Sequence, residues 1–317
     1  MLMGQILVPS VNRFVTAPDG LRLHMREYGS ALDPGVPVVC LPGLSRCSSD
    51  FKVLAAALAN GAAGGTRRRV LALDYRGRGA SEHDLNWRNF ELGVEQADIL
   101  AMLTAAGVSD AIFVGTSRGG LHIMAIAAFR PDLLRGAVLN DVGPVLEAQG
   151  LLRIRRLLCE VHSPRSLGDA VDVLKSVMGN QFSGLSDEEW EMHALATFQR
   201  EDGSLGLKYS PALVKALESL DLEAPLPTLW PLYEALKKVP LLVIRGVNSD
   251  ILSPDTFAEM TRRHEGCDKL IVPGQGHAPL LYDEASIMKI AQFIAKIDTM
   301  ARQSEAGVAI LESATAH

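Results

Sequence analysis

Cysteine is scarce in this chain, and the few present build no framework. Four stand among 317 residues, at positions 40, 47, 159 and 267. Their spacing matches neither a stapled secreted module nor a zinc site, which suits a reduced cytosol. No histidine cluster shows metal spacing, no G-x-G-x-x-G opens a βαβ unit, and no P-loop is present, so no cofactor is expected. No apolar stretch reaches the roughly 18–20 residues that a membrane span needs. Met1 to Ser10 lacks the charged n-region and cleavage site of a signal peptide. Positive charge is in deficit: 31 Lys and Arg face 37 Asp and Glu, for a net charge of −6. That balance argues against non-specific nucleic-acid binding. Arg67-Arg68-Arg69 is too short a run to change it, and reads as a solvated lead-in to a strand. The expectation is a cytoplasmic protein with a small-molecule substrate and no nucleic-acid or membrane partner. Its oligomeric state is left open.

What is present is ample apolar material, 48% of the residues, enough for a large core in one α/β domain with an insertion. Two strand-like runs within Phe14 to Tyr28 flank Asp19-Gly20, a strong hairpin signal. Strand Val38–Leu41, a helix near Phe51 to Ala59, strand Val70–Leu73 and a helix from Glu91 to Ala106 follow in turn. A strand at Ala111–Val114, a helix at Leu121–Phe129 and a strand at Ala137–Asn140 continue the alternation. This order implies a mostly parallel sheet flanked by helices. From Pro144 to Leu236 the alternation stops, and only helices are predicted: Leu151–Val161, Leu167–Met178, Asp187–Gln199 and Pro211–Ser219. The expected division is a core of residues 1–143 and 237–317 with a helical cap, 144–236, inserted after the strand ending near Asn140. The closing helix spans Glu284 to Lys296, and the tail from Ala301 to His317 reads as loosely ordered.

Gly115-Thr-Ser-Arg-Gly119 lies between an apolar strand and an amphipathic helix. A serine flanked by glycines at such a junction reads as a nucleophile on a sharp, strained turn, where flanking side chains would collide with the neighbouring elements. A serine hydroxyl needs a base, and His277 follows the short strand Lys269–Val272. Asp250 follows the strand Val239–Ile244 in a loop ahead of His277 and is the preferred orienting acid. Asp141, directly after strand Gly136–Asn140, is its rival; otherwise it caps the following loop or lines the pocket mouth. In a parallel sheet all these strand ends meet at one edge. The backbone N–H of Arg118, at the positive end of its helix, and that of Leu44, after Gly43, are the candidate oxyanion donors.

With Leu41-Pro-Gly-Leu44, Asp74-Tyr-Arg-Gly-Arg-Gly-Ala-Ser81, the elbow, the Asp250 loop and Gly276-His277, the chain resembles the alpha/beta-hydrolase family of capped serine esterases. The resemblance runs from about Thr16 to Ile294. It implies the triad order serine, acid, histidine, and a structural role for the Asp74 to Ser81 turn. Two departures stand out. Pro42 replaces a frequent histidine, and Arg118 replaces the usual Met, Leu or Gln. A cation in a first helical turn opposes the helix dipole, so Arg118 either pairs with a nearby acid or anchors an acidic substrate group. Trp190, Phe198, Tyr209 and Trp230 are candidates for lining the pocket, Trp190 and Trp230 foremost, with core packing the competing reading. His122 reads as a packed helix residue, and His193 and His264 as surface residues.

The leading function is hydrolysis of a small to medium carboxylic ester or lactone through an acyl-enzyme intermediate. Carbon–carbon bond hydrolysis of a ring-cleavage product is the second enzyme reading, acyl transfer a variant, and a non-catalytic binder on the same scaffold the third class. Ser117 argues against dehalogenase or epoxide hydrolase chemistry, which in this resemblance uses an aspartate nucleophile.

Overall fold

The computed structural model describes residues 9–315, apart from 161–163, 202–203, 220 and 223. The strands are β1 (Val11–Thr16), β2 (Arg22–Tyr28), β3 (Gly35–Leu41), β4 (Arg68–Asp74), β5 (Ala111–Thr116) and β6 (Leu134–Asn140), then β7 (Phe198–Glu201), β8 (Ser204–Leu207), β9 (Leu241–Gly246) and β10 (Asp268–Val272). Among the described residues an eight-stranded sheet has the order β1-β2-β4-β3-β5-β6-β9-β10. The β1–β2 hairpin and the β2–β4 pairing are antiparallel. Every other pairing in that sheet is parallel. The order reverses between β3 and β5, so the loops after these two strands diverge and leave a crevice at their carboxyl ends.

Side-chain alternation along the strands fills both faces of the sheet. Val39, Leu41, Leu71, Leu73, Phe113, Leu139, Leu241 and Val243 enter one core. Their neighbours Val38, Cys40, Val70, Ala72, Ile112, Val114, Val138, Leu242 and Ile244 enter the other. Strands buried on both sides are continuous apolar runs, which is what the sequence displays. Helices α1 (Lys52–Ala59), α2 (Leu92–Ala105) and α3 (Arg118–Phe129) alternate with the strands. Residues Ile99 and Met102 of α2 and Ile123 and Ile126 of α3 cover the first face. Leu54 and Leu58 of α1 cover the second.

Between β6 and β9 the chain forms α4 (Ala148–Glu160), α5 (Leu167–Met178), α6 (Asp187–Thr197), the β7–β8 pair, α7 (Leu213–Glu218) and α8 (Trp230–Glu234). The helical reading of this insertion holds for α4 to α7, with Val161 outside the described residues. Helix α6 starts where Ser186 and Glu189 form a capping box. The insertion also contains strands, which the helical periodicity had passed over: β7 and β8 pair antiparallel. The sequence Asp202-Gly203 between them is a hairpin signal of the kind read at Asp19-Gly20. Ser210 N–H donates to Gly77 O, and Gly79 N–H to Lys208 O, fastening the insertion to the Asp74–Ser81 loop.

Helices α9 (Pro254–Arg263) and α10 (Glu284–Thr315) complete the chain. Helix α10 extends to Thr315 in the segment read as a loose tail, whose residues 316–317 lie outside the described ones; Ala301 to Thr315 include no proline to stop it. The arginine triplet is not the solvated lead-in expected. Arg68 pairs with Asp298 at 2.6 Å and Arg69 with Glu27 at 2.8 Å, all four buried, and only Arg67 is solvated. Arginine enters an interior where a carboxylate awaits it, and both partners lie far off in sequence.

Candidate active site

The elbow is built by close approach. A Cβ on Gly119 would lie 2.1 Å from Leu41 O, and one on Gly115 would lie 2.5 Å from the Gly119 backbone. Only glycine lets β3, β5 and α3 pack at these separations. Between them Ser117 takes φ 52° and ψ −114°, a conformation costly for a side-chain-bearing residue and held by Ser117 N–H donating to Asn140 O at 2.9 Å.

Ser117 Oγ lies 2.8 Å from His277 Nε2, and His277 Nδ1 lies 2.8 Å from Asp141 Oδ2. Asp250 does not occupy the place expected of it. Its carboxylate is clamped by Arg153 of α4, Nε to Oδ2 at 2.5 Å and Nη2 to Oδ1 at 2.8 Å. Burial raises the Asp250 carboxyl, but the hydrogen bonds of Arg153 and Gln181 and the charges of Arg153 and His277 outweigh it and leave the group below its ordinary range. Asp141 is fully buried and directly follows β6, at φ 57°. Its Oδ1 accepts from Gly246 N–H at 2.7 Å, and its Oδ2 also accepts from Ser249 Oγ at 2.6 Å. The carboxylate is thus fixed by β9 and its loop before it meets the imidazole. A one-residue step past a strand end, rather than a longer loop, brings this carboxylate to the imidazole.

Leu44, in the loop after β3, lines the same cavity as Ser117, and Arg118 directly follows Ser117 as the first residue of α3. The Arg118 N–H has no intrahelical acceptor by its position. Arg78 Nε donates to Leu44 O at 2.9 Å and the Tyr75 hydroxyl to Pro42 O at 3.1 Å, bracing the first of these loops. Asp74 ties its turn together by accepting from Ala80 N–H at 2.9 Å and anchors it to the segment after β3 by accepting from Ser48 N–H at 2.6 Å.

The Arg118 side chain turns to an acid: Nε reaches Glu95 Oε2 at 2.5 Å and Nη2 donates to Phe90 O at 3.1 Å. Burial would raise the Glu95 carboxyl, but the charges of Arg78 and Arg118 and the His122 hydrogen bond hold it well below its usual range. Arg118 is absent from the cavity wall, and so are Trp190 and Trp230. Trp190 packs against Phe182 and Phe198 inside the insertion. Trp230 lies under the guanidinium of Arg263, 4.0 Å from its ring centre, and packs onto the main core. Aromatics at helical spacing here serve the packing of their own layers.

The cavity over Ser117 has a volume of about 120 Å³. Gly43 to Arg46, Ser117 and His277 to Leu281 line its floor. Arg153, Ile154, Leu157 and Leu158 of α4, Leu174 and Met178 of α5, His193 and Thr197 of α6, and Leu207 and Tyr209 form its roof. Of the four aromatic candidates, Tyr209 is the one that reaches it. His193 and His264 are buried rather than on the surface, at 2% and 4% exposure. Sequence reading also passed over Gln181, whose Oε1 accepts from His277 N–H at 3.1 Å, and Ser249, whose polar loop context gave no sign of a buried partner. Among the described residues no group of three or more histidine, cysteine, aspartate or glutamate side chains is placed to hold a metal ion, and no helix is long and apolar enough to cross a membrane.

A profile of the alpha/beta hydrolase family matches residues 38–287, and the chain belongs to that family. It is 32% identical over 285 residues to a 3-hydroxybutyrate-oligomer hydrolase of Cupriavidus necator, spanning 87% of this chain and 94% of that one. It is 26% identical over 258 residues to a 2-(acetamidomethylene)succinate hydrolase of Mesorhizobium japonicum, spanning 81% and 85%. Among solved structures, an alpha/beta hydrolase from Novosphingobium aromaticivorans matches with a TM-score of 0.81 at 33% identity, covering 91% of this chain and 99% of that one.

Proposed function

We propose that the protein is a serine hydrolase that cleaves small to medium carboxylic esters through an acyl-enzyme intermediate. The observation that carries this reading is the unbroken chain of hydrogen bonds from Ser117 Oγ through His277 to Asp141, at the floor of a mostly apolar cavity. Ser117 Oγ attacks the ester carbon as His277 Nε2 takes its proton. Asp141 holds the Nδ1–H tautomer and stabilises the imidazolium. The N–H groups of Leu44 and Arg118 receive the developing oxyanion, an arrangement in which each donor is worth on the order of 100- to 1,000-fold in rate. His277 then protonates the departing alcohol, and water attacks the acyl-enzyme by the same path in reverse. The inserted segment acts as a cap that keeps bulk water from the intermediate. The four cysteines are free thiols, consistent with the cytoplasmic location we propose.

A 3-hydroxybutyrate oligomer is joined by ester bonds, so the relative from Cupriavidus necator supports an ester substrate. The test is hydrolysis of p-nitrophenyl esters from acetate to decanoate, wild type beside Ser117→Ala. Turnover that falls on the order of 10⁶-fold in the variant is expected, with a chain-length optimum set by the roof. A well-folded wild type without turnover, or turnover that survives in Ser117→Ala, rejects the reading.

A further inference from the structure

Two residues on the roof of the cavity, His193 and Tyr209, each carry a buried polar atom without a hydrogen-bond partner among the described residues. His193 belongs to α6, and Arg46 Nη2 approaches its Nδ1 at 3.3 Å. A guanidinium only donates, so Nδ1 is the acceptor and the ring proton resides on Nε2. Burial, and then the charge of Arg46, keep this imidazole well below its ordinary titration range and hence neutral. Its Nε2 has no hydrogen-bond partner among the described residues, and neither has the hydroxyl of Tyr209. Burial lifts the Tyr209 phenol to about 12, so it too remains a donor. The rings are held by packing: His193 stands edge-on to Trp190 with centroids 6.3 Å apart. Tyr209 is clustered with Phe90, Leu158 and Leu213. Both residues line the same cavity as Ser117.

Arg46 itself is spent. Its Nε and Nη2 grip Asp50 at 2.7 and 2.6 Å, and its Nη1 donates to Thr197 Oγ1 at 2.5 Å. Arg153, the other cation of the cavity wall, is likewise paired, with Asp250, so the unpartnered donors that the wall offers are neutral. A purely hydrocarbon chain would leave both donors unpaired, and a buried unpaired donor is costly. We propose that His193 Nε2–H and the Tyr209 hydroxyl read the substrate, and that the acyl chain this cavity accepts carries a second, uncharged acceptor oxygen beyond the reacting carbonyl. A hydroxyl, ether or further ester oxygen would serve. The inference rests on the ester-hydrolase reading and narrows it to oxygen-bearing acyl chains.

Binding to Ser117→Ala decides the matter without turnover. The probes are isosteric pairs that differ by oxygen for methylene: ethyl methoxyacetate and ethyl butanoate, ethyl 3-methoxypropanoate and ethyl pentanoate, ethyl 4-methoxybutanoate and ethyl hexanoate. Titration calorimetry should show at least one oxygen position favoured over its all-carbon partner. Adding Tyr209→Phe, or His193→Asn (which keeps an acceptor for Arg46), should shrink that preference by about 3- to 10-fold per donor lost. A ratio between partners that is the same in all three proteins at every oxygen position overturns the inference. Tyr209→Phe removes one oxygen atom and stands alone if His193→Asn does not fold. Hydrolysis of the all-carbon esters by the wild type is scored separately, so loss of the hydrolase reading and loss of this inference are told apart.

Discussion

Two aspartates compete for one histidine, and their partners separate their roles. Among the described residues no lysine or arginine pairs with Asp141; its oxygens accept from a backbone amide, a serine hydroxyl and the imidazole. Asp250 is engaged by both arms of Arg153. Asp141→Asn should therefore lower kcat on the order of 10⁴-fold, because an amide leaves the imidazole in the wrong tautomer. Asp250→Asn should change kcat by less than about 10-fold, since it frees Arg153 but leaves the Ser117–His277 pair in place. Steady-state kinetics of the two variants side by side checks this, and the reverse ranking would return the acid to Asp250. The sequence placed both carboxylates at the correct sheet edge. It could not choose between them, because the choice depends on Arg153, 97 positions before Asp250 in the chain. Ser117 and His277 were legible because an elbow and a strand-end loop are local patterns. Arg118 was legible only as an alternative, which its contact with Glu95 resolves in favour of pairing.

At the scale of elements, the junction of β3, β5 and α3 is held open by missing side chains. Gly119→Ala would push a methyl group to 2.1 Å from Leu41 O, which is backbone and cannot swing away. Overpacking of this kind should cost on the order of 2–3 kcal/mol and disturb the loop that carries Leu44. Gly107 makes a useful contrast: it has φ +66°, but nothing lies within 4 Å of where its Cβ would be. Gly107→Ala should cost only the left-handed conformation, about 1–2 kcal/mol, and leave hydrolase activity intact. Urea denaturation with activity measured on the same samples separates the two; equal loss of activity in both would show that the elbow does not depend on close approach. The core strands and α5 were legible because apolar periodicity is strong there. The β7–β8 pair was missed because strands of four residues give too few alternations to outweigh a preceding helical run. The segment between β6 and β9 reads as a set of amphipathic helices, yet periodicity marks an apolar face without saying whether it meets a core or a cavity.

For the whole molecule, acid should act in two stages. Burial, the leading cause in each case, holds His122 and His193 below the ordinary histidine value of 6.5. The unfolded chain therefore takes up protons that the native state refuses once pH drops below about 6.5, and stability declines from there. Glu95 and Asp250 are depressed carboxylates, so their contribution is retained above the ordinary carboxylate range and fades only at lower pH. Between pH 7.5 and 5.5 the loss should thus come chiefly from His122 and His193, at up to about 1.4 kcal/mol per pH unit for each. His193→Asn should flatten this slope without altering the second stage. Urea unfolding of wild type and variant at pH 7.5, 6.5 and 5.5 reads the difference directly. Parallel losses would mean that His193 titrates in the native protein much as it does in the unfolded one. Its ring would then carry a proton on both nitrogens at mildly acidic pH, and its neutral state could not be what the roof of the cavity relies on.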